Sequence, residues 1–454
     1  MQRCLLSIER NWHWCKTDTS ALKKKKKVHF LLDGQKPKPK PQKSEGKVNT
    51  SQISSIKNSK NFELFFDLFS PKLIIKMSLL ELIGALLLLY LLIYRPLHFI
   101  ANLVLNNCTL VGHSSSAAAK VILTPSNRSP PEWAVITGAT DGCGLEYAKQ
   151  LAEKGYHLLL ISRSRGRLER VREEITSMCP ACRVELLTVD FSEVTFKSSS
   201  EDKHSTYSKI KAKLATLDGR LYILVNNVGV AYPAPEYFTA LPEGFHIRLI
   251  NTNLISTVVM TELVIQRMLL QDSSSSNSNS QAVNSVDPED LDRFEPTPER
   301  PLRGLIINLS SVLSLTECPL NATSGATKAA LNYLSRALSA EYSARHGIFI
   351  QTVLANQVNT KAVAKGAIAR NWFGVSAFDF VWYSLKAVAR QEAVTSAHPL
   401  HKLFNGVIVF ARDHLPESVF MALKMKMAKR IRAKYQEDRE RGGVMSEVAL
   451  MEQD

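Results

Sequence analysis

Seven short apolar runs separated by amphipathic stretches constrain this chain more than any other feature. They are WAVIT (133–137), HLLLIS (157–162), VELLTV (184–189), LYILVNN (221–227), GLIINLS (304–310), IFIQTVLA (348–355) and GVIVFA (406–411). A strand with one face in water alternates polar and apolar residues, whereas these runs are nearly continuous. Continuous runs mark strands buried on both faces, which requires a parallel sheet covered by crossover helices. The pattern predicts an α/β domain over residues 132–415, a doubly wound parallel sheet of about seven strands. Polar inserts at 196–205 and 272–301, the second with an SSSSNSNS core, read as surface loops.

The formal charge of +15 on 454 residues invites a nucleic-acid reading, but its distribution argues against one. Residues 1–76 hold 17 Lys/Arg against 6 Asp/Glu, and the remaining 378 residues are at only +4. The first segment, with Lys23–Lys27 and the alternating Lys36-Pro-Lys-Pro-Lys-Pro41, buries too little apolar surface to offset chain entropy and reads as a basic, disordered extension. Met77 stands directly before the most apolar window, which leaves open whether 1–76 belongs to the mature chain. That window, SLLELIGALLLLYLLIY (78–94), is at the short limit for a bilayer span and predicts a membrane anchor over 77–105. The lysines before it favour a cytosolic N-terminus, while a hairpin extended by Leu97–Leu105 would return the chain to the cytosol. Residues 106–131 read as a polar linker. Residues 416–454 read as a basic helix and tail, in which KMKMAKRIRAKY either lies on an anionic membrane through Met425, Met427 and Ile431 or is simply solvated.

Seven scattered cysteines give no disulfide framework, and Cys179-Pro-Ala-Cys182 lacks the two further ligands a zinc site needs. No metal is expected.

Chemistry concentrates where strands end. Thr137-Gly138-Ala-Thr-Asp-Gly142-Cys-Gly144 lies between the first strand and a helix that stops at Gly155. In that context Gly138 tightens the turn and Gly142 lets backbone approach a pyrophosphate, while the helix N-terminus supplies N–H donors. The second strand ends in Ser162-Arg163-Ser164-Arg165, not in the acidic residue that would bind the ribose 2′-hydroxyl of NAD. Cations there favour a 2′-phosphate, so NADP(H) is the expected cofactor, with Arg163 its phosphate partner or else a solvated loop arginine.

With Asn226-Asn-Val-Gly229, Ile250-Asn-Thr-Asn253 and a Ser–Lys pattern added, the chain resembles the short-chain dehydrogenase/reductase superfamily over roughly residues 80–415. TGATDG, ISRS and NNVG…PEYF resemble one branch, which holds membrane-bound very-long-chain 3-oxoacyl-CoA reductases, 17β-hydroxysteroid dehydrogenases and inactive hydroxysteroid dehydrogenase-like proteins. The resemblance implies that Gly138, Gly142 and Gly144 line the diphosphate and that Asp190 and Phe191 lie near the adenine. It implies that Asn226 and Gly229 brace the central sheet, with Asn226 among the cofactor-binding residues, and that Asn253 holds a water of the proton relay. Ser311 would orient a substrate carbonyl, Lys328 would contact the nicotinamide ribose, and Val358 and Thr360 would contact the nicotinamide.

One residue breaks the pattern. The family's chemistry uses Tyr-x-x-x-Lys, whose one-turn spacing lets the ammonium lower the phenol pKa. Here the segment is Ser324-Gly-Ala-Thr-Lys328. A serine hydroxyl is less acidic than a phenol and shorter by a ring. Tyr333 falls on the opposite side of the helix, and Thr323 points elsewhere. Ala355-Asn356 stands where the family usually has proline, and Cys143 replaces an aliphatic residue. The expected protein is a membrane-anchored NADP(H)-binding homologue with impaired or absent catalysis, acting through protein partners or as a homodimer. The alternative is an active NADPH-dependent reductase of 3-oxoacyl-CoA or 17-ketosteroids. Aromatic residues between 361 and 400 suggest an apolar acyl or steroid ligand, or packing alone. The expected location is the endoplasmic-reticulum membrane with a cytosolic domain. The chain ends Met-Glu-Gln-Asp without a dilysine signal, which keeps a mitochondrial site open.

Overall fold

The computed structural model describes residues 84, 90 and 94, then 113–125, 131–193, 205–273, 295–296, 301–360 and 374–441. The chain divides into two units, Met1–Leu91 and Leu92–Asp454, and all strands and helices described below lie in the second. The expected extension 1–76 and nearly all of the expected anchor 77–105 fall outside the described residues, as do most of the two polar inserts.

The first six apolar runs form strands: β1 (Glu132–Thr137), β2 (His157–Ser162), β3 (Val184–Thr188), β4 (Arg220–Asn226), β5 (Gly304–Ser311) and β6 (Ile348–Ala355). Short strands β7 (Val358–Asn359) and β8 (Val375–Ser376) pair with each other, and β9 (Val394–Thr395) joins the main sheet. The main sheet is parallel throughout, in the order β3-β2-β1-β4-β5-β6-β9. Successive side chains feed opposite layers. Ala134, Ile136, Leu158, Leu160, Ile223 and Ile307 enter one core, and Trp133, Val135, Leu159, Ile161, Leu224 and Ile306 the other. Both faces are therefore dry, which explains the missing alternation.

Helices α2 (Gly142–Glu153), α3 (Arg165–Met178) and α8 (Ala377–Ala387) cover the first layer through Tyr147, Leu151, Leu168, Ile175 and Phe380. Helix α4 (Thr206–Ala215) and the run α5 (Phe245–Ile250), a π-helical stretch (Asn251–Ile255) and α6 (Ser256–Ser273) cover the second, with α7 (Ala322–His346) beside them. Among the described residues one helical run, Phe245–Gln271, is long and apolar enough to cross a bilayer. Half of its apolar window is buried, and Met260, Val264 and Met268 fill the core, so it is a core helix here.

Two expectations are corrected. GVIVFA is not a strand. It lies inside α9 (Pro399–His414), whose start is fixed by His398, which accepts from Leu400 N–H, and by proline in the first turn. The seventh strand is instead the two-residue β9. The expected linker contains α1 (His113–Ile122), whose end packs into the core through Ile122 and Leu123. The Tyr222 hydroxyl donates to the Ile122 carbonyl at 3.1 Å, tying α1 to β4. The last helix, α10 (Glu417–Glu440), follows α9.

Candidate active site

In a parallel sheet all strands end on one edge, and the strand order reverses direction between β1 and β4, the place where such sheets form a binding crevice. The segments expected to carry chemistry meet at this edge. The glycine turn follows β1, Arg163 follows β2, Asp190 follows β3, Asn227–Gly229 follow β4, Ser311 ends β5, and Val358–Thr360 follow β6.

The turn is built by its glycines. Gly138 and Gly142 have φ of +64° and +55°, backbone that a side chain strains. A Cβ on Gly144 would stand 2.2 Å from the Gly138 carbonyl oxygen and 2.4 Å from Asn227 Nδ2, so α2 can pack this close only without one. Asp141 caps α2 by accepting from Gly142 N–H at 2.7 Å. A Cβ on Gly142 would meet the Thr360 methyl at 3.0 Å, so the loop after β6 comes directly against the turn.

The bracing residue after β4 is Asn227. Its Nδ2 donates to the carbonyls of Thr137 (3.1 Å) and Gly138 (2.9 Å), while Thr137 Oγ1 accepts from the N–H groups of Asn227 and Val228. Asn226, expected at the cofactor, is turned the other way. Its Nδ2 donates to Asn308 Oδ1 (2.8 Å) and Thr261 Oγ1 (3.1 Å) inside the core. Consecutive strand residues face opposite sides, so the paired asparagines divide between core and turn. Asp190 Oδ1 accepts from Ser192 N–H at 2.8 Å, and Phe191 is buried.

Asn253 sits in the π-helical stretch, fully buried, and is clamped to both backbone groups of one residue, Val230. Its Oδ1 accepts from Val230 N–H (2.7 Å) and its Nδ2 donates to the Val230 carbonyl (2.8 Å). A Cβ on Gly229 would lie 3.2 Å from Asn253 Oδ1 and 3.7 Å from Lys328 Nζ, so Gly229 is the spacer between these two groups. Lys328 Nζ donates to the Leu309 carbonyl at 2.9 Å, and Ser310 Oγ donates to the Lys328 carbonyl at 3.0 Å, fastening α7 to the end of β5. Lys328 as a residue is half-buried. Burial lowers its pKa to about 8. Ser311 Oγ accepts from Leu313 N–H at 3.3 Å and starts a single 3₁₀ turn.

Ser324 is buried one helical turn before Lys328. Its carbonyl accepts from Thr327 Oγ1, and its hydroxyl has no hydrogen-bond partner among the described residues. Neither neighbour expected to be misplaced takes over its position. Tyr333 is 80% exposed. Thr323 Oγ1 pairs with His246 Nδ1 at 2.8 Å, and His246 Nε2 meets the Phe238 carbonyl at 2.9 Å. That carbonyl can only accept, so Nε2 donates to it, and in the neutral tautomer this leaves Nδ1 to accept from Thr323. This Thr323–His246 contact was not legible from sequence, because it joins helices 77 positions apart.

The loops bordering the edge are held by the last two helices. Arg412 donates to the Leu315 carbonyl at 2.8 Å, and Lys424 reaches Thr316 Oγ1 and the Glu317 carbonyl. Arg432 pairs with Glu236 at 2.7 Å and covers Tyr237 at 5.3 Å. The aromatic stretch separates into roles. Phe380 is core, Phe378 is exposed, and Trp382 is covered by Lys386 at 3.5 Å, whereas Trp372 and Phe373 lie outside the described residues. Among the described residues no His/Cys/Asp/Glu cluster could hold a metal.

These features suit a dinucleotide: a tight glycine cradle at a helix N-terminus, a cationic residue after β2, and a half-buried lysine across the edge. The family profile described as short chain dehydrogenase matches residues 132–284. The very-long-chain 3-oxoacyl-CoA reductase of Homo sapiens is 33% identical over 308 residues, covering 67% of this chain and 82% of the relative. That of Bos taurus is 34% identical over 307 residues with the same coverage. Among solved structures, a short-chain dehydrogenase from Sphingobium yanoikuyae in complex with NADPH aligns at TM-score 0.46 and 23% identity, covering 63% of this chain and 97% of that one.

Proposed function

The chain belongs to the short-chain dehydrogenase/reductase superfamily, and on that premise we propose that it binds NADP(H) at the end of β1 and turns over a carbonyl substrate slowly or not at all. When bound, NADPH supplies a hydride for a carbonyl carbon. The protein's task is then to hold the cofactor, orient the carbonyl and deliver one proton to its oxygen. Gly138, Gly142 and Gly144 hold the diphosphate, Arg163 the 2′-phosphate, Lys328 the nicotinamide ribose, and Ser311 the carbonyl. Delivery of the proton is what the chain lacks. The observation that carries this reading is Ser324, one turn before a correctly fastened Lys328. General acid catalysis is typically worth about 10²–10⁴-fold.

The second reading is an active NADPH-dependent reductase of very-long-chain 3-oxoacyl-CoA. The identity of 33–34% to relatives bearing that name favours it. An endoplasmic-reticulum membrane location, an apolar acyl or steroid ligand, and protein partners or a homodimer belong to both readings. One pair of measurements separates the two. Purified full-length chain is titrated into NADPH, following cofactor fluorescence, and is then given a long-chain 3-oxoacyl-CoA while NADPH oxidation is recorded. Binding without oxidation is expected. Oxidation at rates ordinary for an enzyme establishes the second reading, and absence of binding removes both.

A further inference from the structure

We propose that the outer face of α10 is a docking surface for an anionic lipid bilayer. Helix α9 is inverted relative to a normal surface helix. Its polar His401 and Asn405 are buried, while its apolar Leu400, Leu403 and Val407 are exposed. Helix α10 also exposes apolar side chains. Phe420, Ala428 and Tyr435 are buried, whereas Val419, Leu423 and Met427 stand exposed at four-residue spacing, Leu423 and Met427 by 54% and 59%. Seven residues beyond each of these come Lys426, Arg430 and Lys434, all exposed. Seven residues make about two helical turns, so the six side chains share one face, with Val419 and Leu423 first, Lys426 beside Met427, and Arg430 and Lys434 last.

An exposed apolar patch with cations among and beyond it suits an anionic bilayer surface, where the apolar side chains enter the acyl boundary and the long basic stems reach lipid phosphates. A second copy fits less well. Paired in register it sets cation on cation, and the acid that this face offers, Glu437, lies beyond the cations at the end of α10. The sequence offers Met425, Met427 and Ile431 for such a contact. The structure keeps only Met427 on the outer face, because Ile431 packs inward beside Tyr435 and Ala234. The opposite side of α10 grips Thr316, Glu317 and Glu236. Docking therefore sets the loops bordering the sheet edge beside the bilayer, whether or not Ser324 supports turnover.

The test uses the full chain, so that any tether elsewhere is common to every arm. It is prepared in mild detergent, in phosphatidylcholine vesicles, and in phosphatidylcholine vesicles containing phosphatidylserine. Lysine acetylation and peroxide oxidation of methionine are read by peptide mass spectrometry. Reactivity of Lys426, Lys434 and Met427 is expected to fall about threefold or more in the phosphatidylserine vesicles relative to detergent, and less in phosphatidylcholine alone. The exposed Lys209 and Lys211 on α4 should be unchanged. A Leu423→Glu, Arg430→Glu double variant, which alters only exposed positions, should lose the protection and keep its thermal unfolding temperature. Unchanged reactivity in both vesicles overturns the proposal, as does equal protection in the two lipids. Protection that appears in detergent as protein concentration rises assigns the face to a second copy and also overturns it.

Discussion

Lys328 reaches back across the end of β5 to the Leu309 carbonyl, 2.9 Å away, while Ser324, one turn earlier on the same helix, offers it no phenol. The lysine is thus set by backbone, and its position does not depend on a tyrosine partner. The cofactor half of the site can persist when the proton-donating half is changed.

Replacing Ser324 by tyrosine tests this separation directly. If Lys328 is already placed, a phenol four residues earlier regains an acid whose pKa the ammonium lowers. Ser324→Tyr is expected to raise NADPH-dependent reduction of a long-chain 3-oxoacyl-CoA by about 10²-fold or more, within the usual worth of general acid catalysis. NADPH affinity should change little. Ser324 is buried, so a thermal unfolding curve must accompany the assay. A folded variant with no gain over an inactive wild type would show that more than the acid is missing.

Lys328 also leaves a pH signature. Its folded pKa lies at about 8, below its ordinary 10.5. Between these values the unfolded chain holds a proton that the folded chain has released, so stability rises with pH across this window. Below pH 8 the full cost of burying the charge is present. Thermal unfolding from pH 7 to 10.5 should show the rise, and Lys328→Met should flatten it relative to wild type. Equal slopes in the two proteins would mean that the ammonium is solvated.

The fold was legible where burial was two-sided. Runs such as Trp133–Ile136 and Leu158–Ile161 are apolar throughout because both faces of each strand pack. Legibility failed at Gly406–Ala411, where a short apolar run fits either element and periodicity cannot arbitrate. The informative signal was Pro399 after His398, a helix start. It was obscured because α9 buries His401 and exposes Val407, the reverse of the usual pattern. At the site, glycine spacing and the Ser324–Lys328 register could be read directly, being local. The division of labour between Asn226 and Asn227 depends on which face of β4 each occupies, and the Thr323–His246 and Lys424–Glu317 contacts depend on tertiary packing alone.

Two glycines should respond in opposite ways to the same change. A Cβ at Gly144 overlaps the Gly138 carbonyl, which is backbone and cannot rotate aside. Gly144→Ala is expected to cost about 3 kcal/mol or more and to abolish NADPH binding. Gly166 lies in the first turn of α3 with nothing within 4 Å of a Cβ. Gly166→Ala should be neutral or stabilising by about 0.5–1 kcal/mol, from helix propensity and a restricted unfolded chain. Thermal unfolding and cofactor fluorescence measure both. A Gly144→Ala protein that binds NADPH normally would place the diphosphate elsewhere.

Cofactor choice rests on Arg163. Ser162 Oγ lies 3.2 Å from Thr140 Oγ1, which ties the end of β2 to the glycine turn and sets the next residue beside the cradle. Arg163 is exposed there. A guanidinium on a 2′-phosphate forms charge-assisted hydrogen bonds worth about 1.5–3 kcal/mol, or roughly 10- to 100-fold in affinity. Arg163→Ala should therefore weaken NADPH binding by that factor and leave NADH binding nearly unchanged, and Arg163→Glu should reverse the preference. Because the contact is solvent-facing, the wild-type preference for NADPH should also shrink as salt is raised. Fluorescence titration with the two cofactors at low and high salt measures this. A parallel loss for both cofactors would give Arg163 a structural role and move the phosphate to another cation.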